Sequence, residues 1–214
     1  QFTRNQNGDV VEFTHLRFGE SRPIITTGNT AESYAYIWLD DANGNDRADD
    51  GYIRITARTV INPGDREVKT FYSFEAVGFD LSQAKFFQYQ DASIGSANDD
   101  VLIVHGSIAQ NSLVLQTVDL DEFVWVGQAD NSQQNSGASL SGFAASDFDM
   151  LLDTIFNGGF QPAATGTIFN LGLGTFPGLG NGYGEANITT ALAYQFDRRS
   201  DVQISTEIRL FAAT

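Results

Sequence analysis

Apolar and polar residues alternate with a period of two along most of the chain. The clearest example is segment 202–210, where Val202, Ile204 and Ile208 alternate with polar residues. This period places apolar side chains on one face of a β-strand. Similar segments lie at 10–18, 34–39, 52–60, 67–78, 84–90, 112–118, 165–171 and 186–197. The pattern therefore predicts a chain built mainly of half-buried strands.

Two short runs are apolar at every position: 101–104 (VLIV) and 123–126 (FVWV). A short, wholly apolar run bounded by turn residues is typical of a strand that is covered on both faces. We expect both runs in the middle of a sheet.

The stretches between these segments are rich in Gly, Asn, Asp and Ser, which favour turns. A length of 214 residues suits one large β-domain. We predict an all-β fold, a single β-sandwich over residues 1–214 that is jelly-roll-like and has roughly ten strands. Residues 128–142 are polar and almost uncharged, and they predict a long surface loop.

One segment predicts a short helix at about 146–157. Ser146 is a candidate N-cap, Asp149 its capping-box partner, and Asn157 with Gly158 a stop signal. The apolar stripe consists of Phe148, Leu151, Leu152, Ile155 and Phe156. We expect this helix to close one open end of the sandwich; a role for its aromatic residues in ligand binding is the alternative.

Residues 158–184 carry nine of the 21 glycines. A phosphate-binding loop would need a helix directly after the glycines, and the segment that follows Gly184 has a strand pattern. We therefore expect a close-packed surface excursion. At the other end of the chain, residues 1–9 have only Phe2 as an apolar anchor. We predict an N-terminal arm that lies partly on a neighbouring copy.

Charge and composition narrow the possible partners. With 27 acidic and 12 basic residues the net charge is −15, which disfavours nucleic acid and anionic lipid headgroups. No run of about 18 apolar residues is present, so no membrane-spanning segment is expected. The chain contains no cysteine and begins at Gln1. We expect a protein that is extracellular or at the cell surface after removal of a signal peptide.

Few residues are candidates for catalysis. The two histidines, His15 and His105, lie in strand patterns without a metal-spaced partner or a nucleophilic serine. We expect no enzymatic activity. A carboxylate pair of the glycosidase type needs no sequence motif, so that alternative stays open.

The acidic segment WLDDANGNDRADDGYI, residues 38–53, is the strongest candidate site. It holds five aspartates between strands 34–39 and 52–60, which we expect to pair as a hairpin with residues 40–51 as the connection. Like charges this close repel one another unless a cation lies among them. The predicted Ca²⁺ ligands are Asp41, Asn43, Asn45, the backbone carbonyl near Arg47, Asp49 and Asp50.

This spacing resembles the Asp/Asn-rich calcium loops of dockerins and of thrombospondin type 3 repeats. It differs from the EF-hand pattern in having Asp46 where glycine is usual and Tyr52 where the bidentate glutamate lies. A solvated acidic turn without metal is the alternative.

These observations favour an exported, calcium-stabilised structural protein. We predict a subunit of a surface filament, matrix fibre, surface layer or coat that assembles into a homo-oligomer or polymer through its termini. The alternative is an extracellular carbohydrate-binding or adhesive module. In that case Trp38, Trp125 and the seven tyrosines would supply a surface on which polysaccharide stacks.

Overall fold

The computed structural model describes the chain in separate ranges, with the intervening residues left out. These ranges are 3–6, 9–12, 25–38, 51–64, 66–91, 100–110, 112–119, 122–128, 136–147, 151, 166–168, 171–176, 180–184 and 188–211. Their strands are β1 (Thr3–Gln6), β2 (Asp9–Glu12), β3 (Ile25–Thr27), β4 (Thr30–Trp38), β5 (Tyr52–Val60), β6 (Glu67–Val77), β7 (Lys85–Asp91), β8 (Val101–Ser107), β9 (Ser112–Asp119), β10 (Glu122–Gln128), β11 (Ala138–Asp147), β12 (Thr167–Ile168), β13 (Gly172–Phe176), β14 (Gly180–Gly184), β15 (Ile188–Phe196) and β16 (Val202–Phe211). Two 3-10 turns lie at Leu81–Gln83 and Ile108–Gln110.

The described strands form three sheets. The large sheet has ten strands in the order β13-β14-β8-β9-β10-β16-β6-β5-β4-β3, and the small sheet has four in the order β12-β11-β15-β7. All pairs are antiparallel except β11 with β12. Strands β1 and β2 form a separate two-stranded sheet. The two apolar runs lie in β8 and β10, each between two neighbours in the large sheet, as predicted.

The large and small sheets pack face to face around one hydrophobic core. Phe74 of β6 lies with its ring centroid 5.2 Å from Phe86 of β7 and 4.9 Å from Phe196 of β15. The same cluster includes Leu102, Leu113, Leu115, Val202 and Ile204 from the large sheet and Leu140, Phe143, Ile188, Leu192 and Tyr194 from the small one. The prediction of an all-β sandwich is confirmed, while the jelly-roll topology stays a prediction.

Strand β11 shows how a bulge keeps apolar residues on the inner face. The pairing of β11 with β15 shifts between Leu140 and Gly142, which leaves Ser141 as the extra residue. Because one extra residue reverses the alternation, Leu140 before the bulge and Phe143 after it both face the core. The hydroxyl of Ser141 donates a hydrogen bond to the carbonyl of Ala193 at 3.1 Å.

The predicted start of the helix is wrong. Ser146 and Asp147 belong to β11 and pair with Thr189 and Ile188. Ser146 is fully buried, and its carbonyl accepts a hydrogen bond from the Thr189 hydroxyl at 3.3 Å. Pairing with the central strand β15 thus takes precedence over capping. Leu151 is helical, and the other helix candidates at 148–150 and 152–157 lie outside the described residues.

Leu151 lies at a different place from the one predicted for the helix, an open end of the sandwich. It is buried against Ala144 of β11 and Ala191 of β15, on the face of the small sheet that points away from the core. The small side chains of Ala144 and Ala191 allow a close approach to this outer face, and as a result β15 is covered on both sides.

Two stretches predicted as loops contain strands. Part of 128–142 belongs to β11, and the Gly-rich segment 158–184 includes the hairpin β13–β14. This hairpin extends the large sheet because Tyr183 and Gly184 pair with Leu102 and Val101 of β8. Part of the Gly-rich segment therefore forms one edge of the large sheet.

Candidate functional site

The acidic segment connects strands β4 and β5 at one end of their ladder. Strands β4 and β5 pair as predicted, and their last pair joins Trp38 to Tyr52. The two ends of the connection are therefore neighbours. The predicted calcium ligands Asp41, Asn43, Asn45, Arg47, Asp49 and Asp50 lie outside the described residues. Within the described ranges, no group of three or more His, Asp or Glu is arranged to hold a metal ion, so calcium stays a prediction.

The outer side of the large sheet carries a second candidate site. Strands β4, β5 and β6 pair in register, and the core takes Ile53 and Ile55 of β5 and Phe74 of β6. Side chains at the alternate positions therefore point away from the core. We define the tyrosine–arginine face as Tyr34, Tyr36, Tyr52, Arg54, Arg58 and Phe71.

Three tyrosine rings of this face contact one another edge to face. The ring centroids of Tyr34 and Tyr36 lie 5.8 Å apart with an interplanar angle of 84°. Those of Tyr36 and Tyr52 lie 5.5 Å apart at 71°. Such T-shaped pairs are a favoured geometry for aromatic rings. The three half-buried tyrosines thus form one continuous aromatic surface across β4 and β5.

The two arginines lie against aromatic rings. The guanidinium carbon of Arg54 is 5.6 Å from the Tyr34 ring centroid, and that of Arg58 is 5.5 Å from the Phe71 centroid. Arg54 also pairs with Glu75 at 3.7 Å, but both side chains are more than 40% exposed, so water weakens this ion pair. The Nε–H of Arg54 makes no hydrogen bond with any described residue. The stacking places both guanidinium groups against the aromatic rings of this face.

A shallow groove of about 360 Å³ continues the face across four strands. Its lining includes Glu32 of β4, Thr56 and Arg58 of β5, Phe71 and Ser73 of β6, and Gln203 of β16. Most of its lining residues belong to two cross-strand rows. The register aligns Tyr34, Thr56, Ser73 and Gln203 in one row and Glu32, Arg58, Phe71 and Ser205 in the other.

The remaining sequence candidates lie elsewhere. His105 is an exposed residue of β8 whose Nε2 lies 2.7 Å from Gln116 Oε1 on the neighbouring strand, which is the arrangement of a satisfied strand histidine. His15 and the side chains of Trp38 and Trp125 lie outside the part of the chain that the structure describes. Of the seven tyrosines predicted for sugar stacking, Tyr34, Tyr36 and Tyr52 lie on the tyrosine–arginine face, whereas Tyr194 is buried in the core and Tyr72 packs against it.

Sequence reasoning missed this face as a site, although its signal was present. Tyr34 and Tyr36 recur two residues apart, and Arg54, Thr56 and Arg58 do the same on the next strand. A period of two shows which side chains of a strand face water. It does not show which residues of the neighbouring strand lie beside them. The pairing register supplies that information.

Comparison with known proteins gives no family assignment. No protein-family model matches the chain, and no curated protein matches its sequence. Among the described residues, no helix is long and apolar enough to cross a membrane. The tyrosine–arginine face and the acidic segment 40–51 are therefore the two candidate functional features of the chain.

Proposed function

We propose that this protein is a carbohydrate-binding module that acts outside the cell, with the tyrosine–arginine face as its binding surface. The observation that carries the proposal is the clustering of three tyrosine rings and two ring-stacked arginines on one outward sheet face. A tyrosine ring presents an apolar surface to sugar C–H groups, while its hydroxyl remains in contact with water. Arginine supplies several N–H donors in a fixed geometry, which suits recognition of sugar hydroxyls.

The direct test is binding to insoluble and gel-embedded polysaccharides. We expect the double substitution Tyr34→Ala with Tyr36→Ala to abolish retention, because it removes the centre of the aromatic surface. The control is Leu173→Ala on β13, which trims a side chain that is 71% exposed at the far edge of the same sheet. Unchanged retention of the double variant, with its circular dichroism intact, would contradict the proposal. Because we propose binding without catalysis, no reducing sugar should be released.

Calcium is part of the same proposal. A cation coordinated by Asp41, Asn43, Asn45, Asp49 and Asp50 would hold residues 40–51 as a compact loop beside Tyr52. The proposal is supported by the adjacent ends of the loop at the Trp38–Tyr52 pair, since a closed loop brings oxygen ligands together. Millimolar calcium outside a cell fills sites with a dissociation constant of about 10⁻⁴ to 10⁻³ M.

The second candidate is the structural subunit of a filament, layer or coat. One observation favours it: β1 and β2 pair with each other and with no other strand among the described ranges. An isolated two-stranded hairpin is only marginally stable in water, and a neighbouring copy would provide a surface for it. Pairing within the hairpin reduces the need for such a surface, because β2 of the same chain already supplies hydrogen-bond partners to β1. Electron micrographs of the purified protein in calcium would test for fibres or lattices.

A further inference from the structure

We infer that the ligand is a linear, uncharged polysaccharide that lies across strands β4, β5, β6 and β16 in the groove. This inference rests on the proposed carbohydrate-binding function and adds the class of sugar and the direction in which it lies.

The direction follows from the sheet register. Tyr34 pairs with Thr56, Thr56 with Ser73, and Ser73 with Gln203, so these four side chains form one row perpendicular to the strands. The second row, which contains Arg58 and Phe71, runs parallel to the first. A groove lined by residues of two parallel rows accepts an extended chain along the rows more readily than along a strand.

The polar groups of the first row are available for a ligand. The side chains of Thr56, Ser73 and Gln203 make no hydrogen bond or ion pair with any described residue, although all three line the groove. Two hydroxyls and one amide in a row match the hydrogen-bonding pattern of sugar hydroxyls, which both donate and accept. The second row faces them with the Phe71 ring and the Arg58 guanidinium that stacks on it.

The charge on and around the groove selects against an acidic sugar. The charged groups on this part of the face balance, since Arg54 and Arg58 are accompanied by Glu75 and Glu32 at paired positions. The whole chain carries −15. A polyuronate would meet the repulsion of the whole molecule without a local excess of positive charge to offset it. An uncharged chain avoids that cost.

The width of the groove sets the expected length of the recognised segment. Four neighbouring strands span three inter-strand spacings, or about 14 Å, which is the length of about three linked hexopyranose rings. We therefore expect affinity to rise with oligosaccharide length and to level off near that size.

The test uses isothermal titration calorimetry with neutral oligosaccharides of glucose, mannose and xylose in stepwise increasing length. Polygalacturonate is the anionic probe. The double substitution Ser73→Ala with Gln203→Ala should weaken binding of the neutral probe by about tenfold or more, since it removes two hydrogen-bonding groups. The matched control is Ser112→Ala with Gln110→Ala, which changes the same residue types at exposed positions of the β8–β9 hairpin.

The outcomes separate this inference from the proposed function. Length-dependent binding of a neutral probe that the groove variant weakens and the control does not would support the inference. Preference for polygalacturonate, affinity independent of length, or equal affinity of the groove and control variants would overturn it while leaving the proposed function in place. Absence of binding to every carbohydrate probe would overturn both.

Discussion

Tyr194 places a phenol in the middle of the sandwich core. It is 0% exposed, and its hydroxyl makes no hydrogen bond with any residue that the structure describes. A buried hydroxyl without a partner costs about 1–3 kcal/mol. Tyr194→Phe removes only this oxygen and keeps the ring, whose centroid lies 6.1 Å from that of Phe86. We expect the free energy of unfolding in urea to stay equal or to rise by about 1 kcal/mol. A clear fall would indicate that the hydroxyl has a stabilising partner.

The same substitution has a pH signature. Burial, with a further contribution from Tyr72, raises the pKa of Tyr194 well above its ordinary value of 10.0. Folding therefore favours the neutral phenol. Ionisation of this group does not affect the stability of the fold below pH 10 and lowers it as the pH rises from there towards the folded-state pKa. We expect Tyr194→Phe to shift alkaline unfolding, followed by circular dichroism, to higher pH. The two proteins should behave alike in the acid range.

Alanine substitutions at Gly106 and Gly64 distinguish the effect of a steric collision on stability from the effect of backbone strain. Both have positive φ, +80° and +87°, so alanine is strained at either position. A Cβ on Gly106 would collide with the backbone carbonyl of Ser112 across the β8–β9 hairpin, whereas a Cβ on Gly64 would face open space. We expect Gly106→Ala to lower the free energy of unfolding by about 1–3 kcal/mol more than Gly64→Ala. Equal losses in urea titrations would show that the hairpin relaxes without cost.

At the scale of one strand, the two faces of β6 have different roles. One face contributes to the stability of the core, and the other belongs to the proposed binding surface. Phe74 is buried between the sheets, and Phe71 faces the groove. Phe74→Ala should lower the free energy of unfolding by about 3–5 kcal/mol because it leaves a cavity in the core. Phe71→Ala should have a much smaller effect on thermal unfolding and should weaken retention on neutral polysaccharide. Equal thermal effects of the two substitutions would contradict this division of β6.

The period of two predicted strands best where only one face is buried. Strands β5 and β16 lie almost where their alternation placed them. Strand β11 was missed because its sequence, ASLSGFAASD, has many small residues of weak strand preference and a bulge at Ser141 that breaks the alternation. The hairpin β13–β14 was missed because alternating glycines leave no apolar period.

The candidate face was only partly predictable for a different reason. Its tyrosines and arginines are neighbours in the hairpin β4–β5, which the sequence predicted. Gln203 joins the same row from more than one hundred residues along the chain, through the pairing of β16 with β6. A one-residue shift in either pairing would turn these side chains to the opposite face. Sequence patterns predicted the strands but not the register that assembles the groove.

At the scale of the whole molecule, the proposed calcium site in residues 40–51 predicts that stability depends on calcium in solution. Removing calcium would leave the carboxylates of residues 40–51 to repel one another at the end of the β4–β5 hairpin. We expect a chelator to lower the melting temperature, and Asp41→Ala or Asp49→Ala to give the same decrease in calcium. Each variant should then be insensitive to chelator. Identical melting curves of the natural protein with calcium and with chelator would exclude a stabilising calcium site.

The N-terminal hairpin distinguishes the two candidate functions. Within the described strands, β1 and β2 share no ladder with the large or small sheet, and the tyrosine–arginine face lies on β4, β5 and β6. Deletion of residues 1–12 should therefore leave the melting temperature and polysaccharide affinity of the sandwich unchanged. If the protein is instead a structural subunit that joins copies through its N-terminus, the same deletion should abolish the fibres or lattices seen in electron micrographs. Loss of polysaccharide binding in a truncated protein that remains folded would mean that the binding surface includes the hairpin. In that case the tyrosine–arginine face alone would not account for recognition.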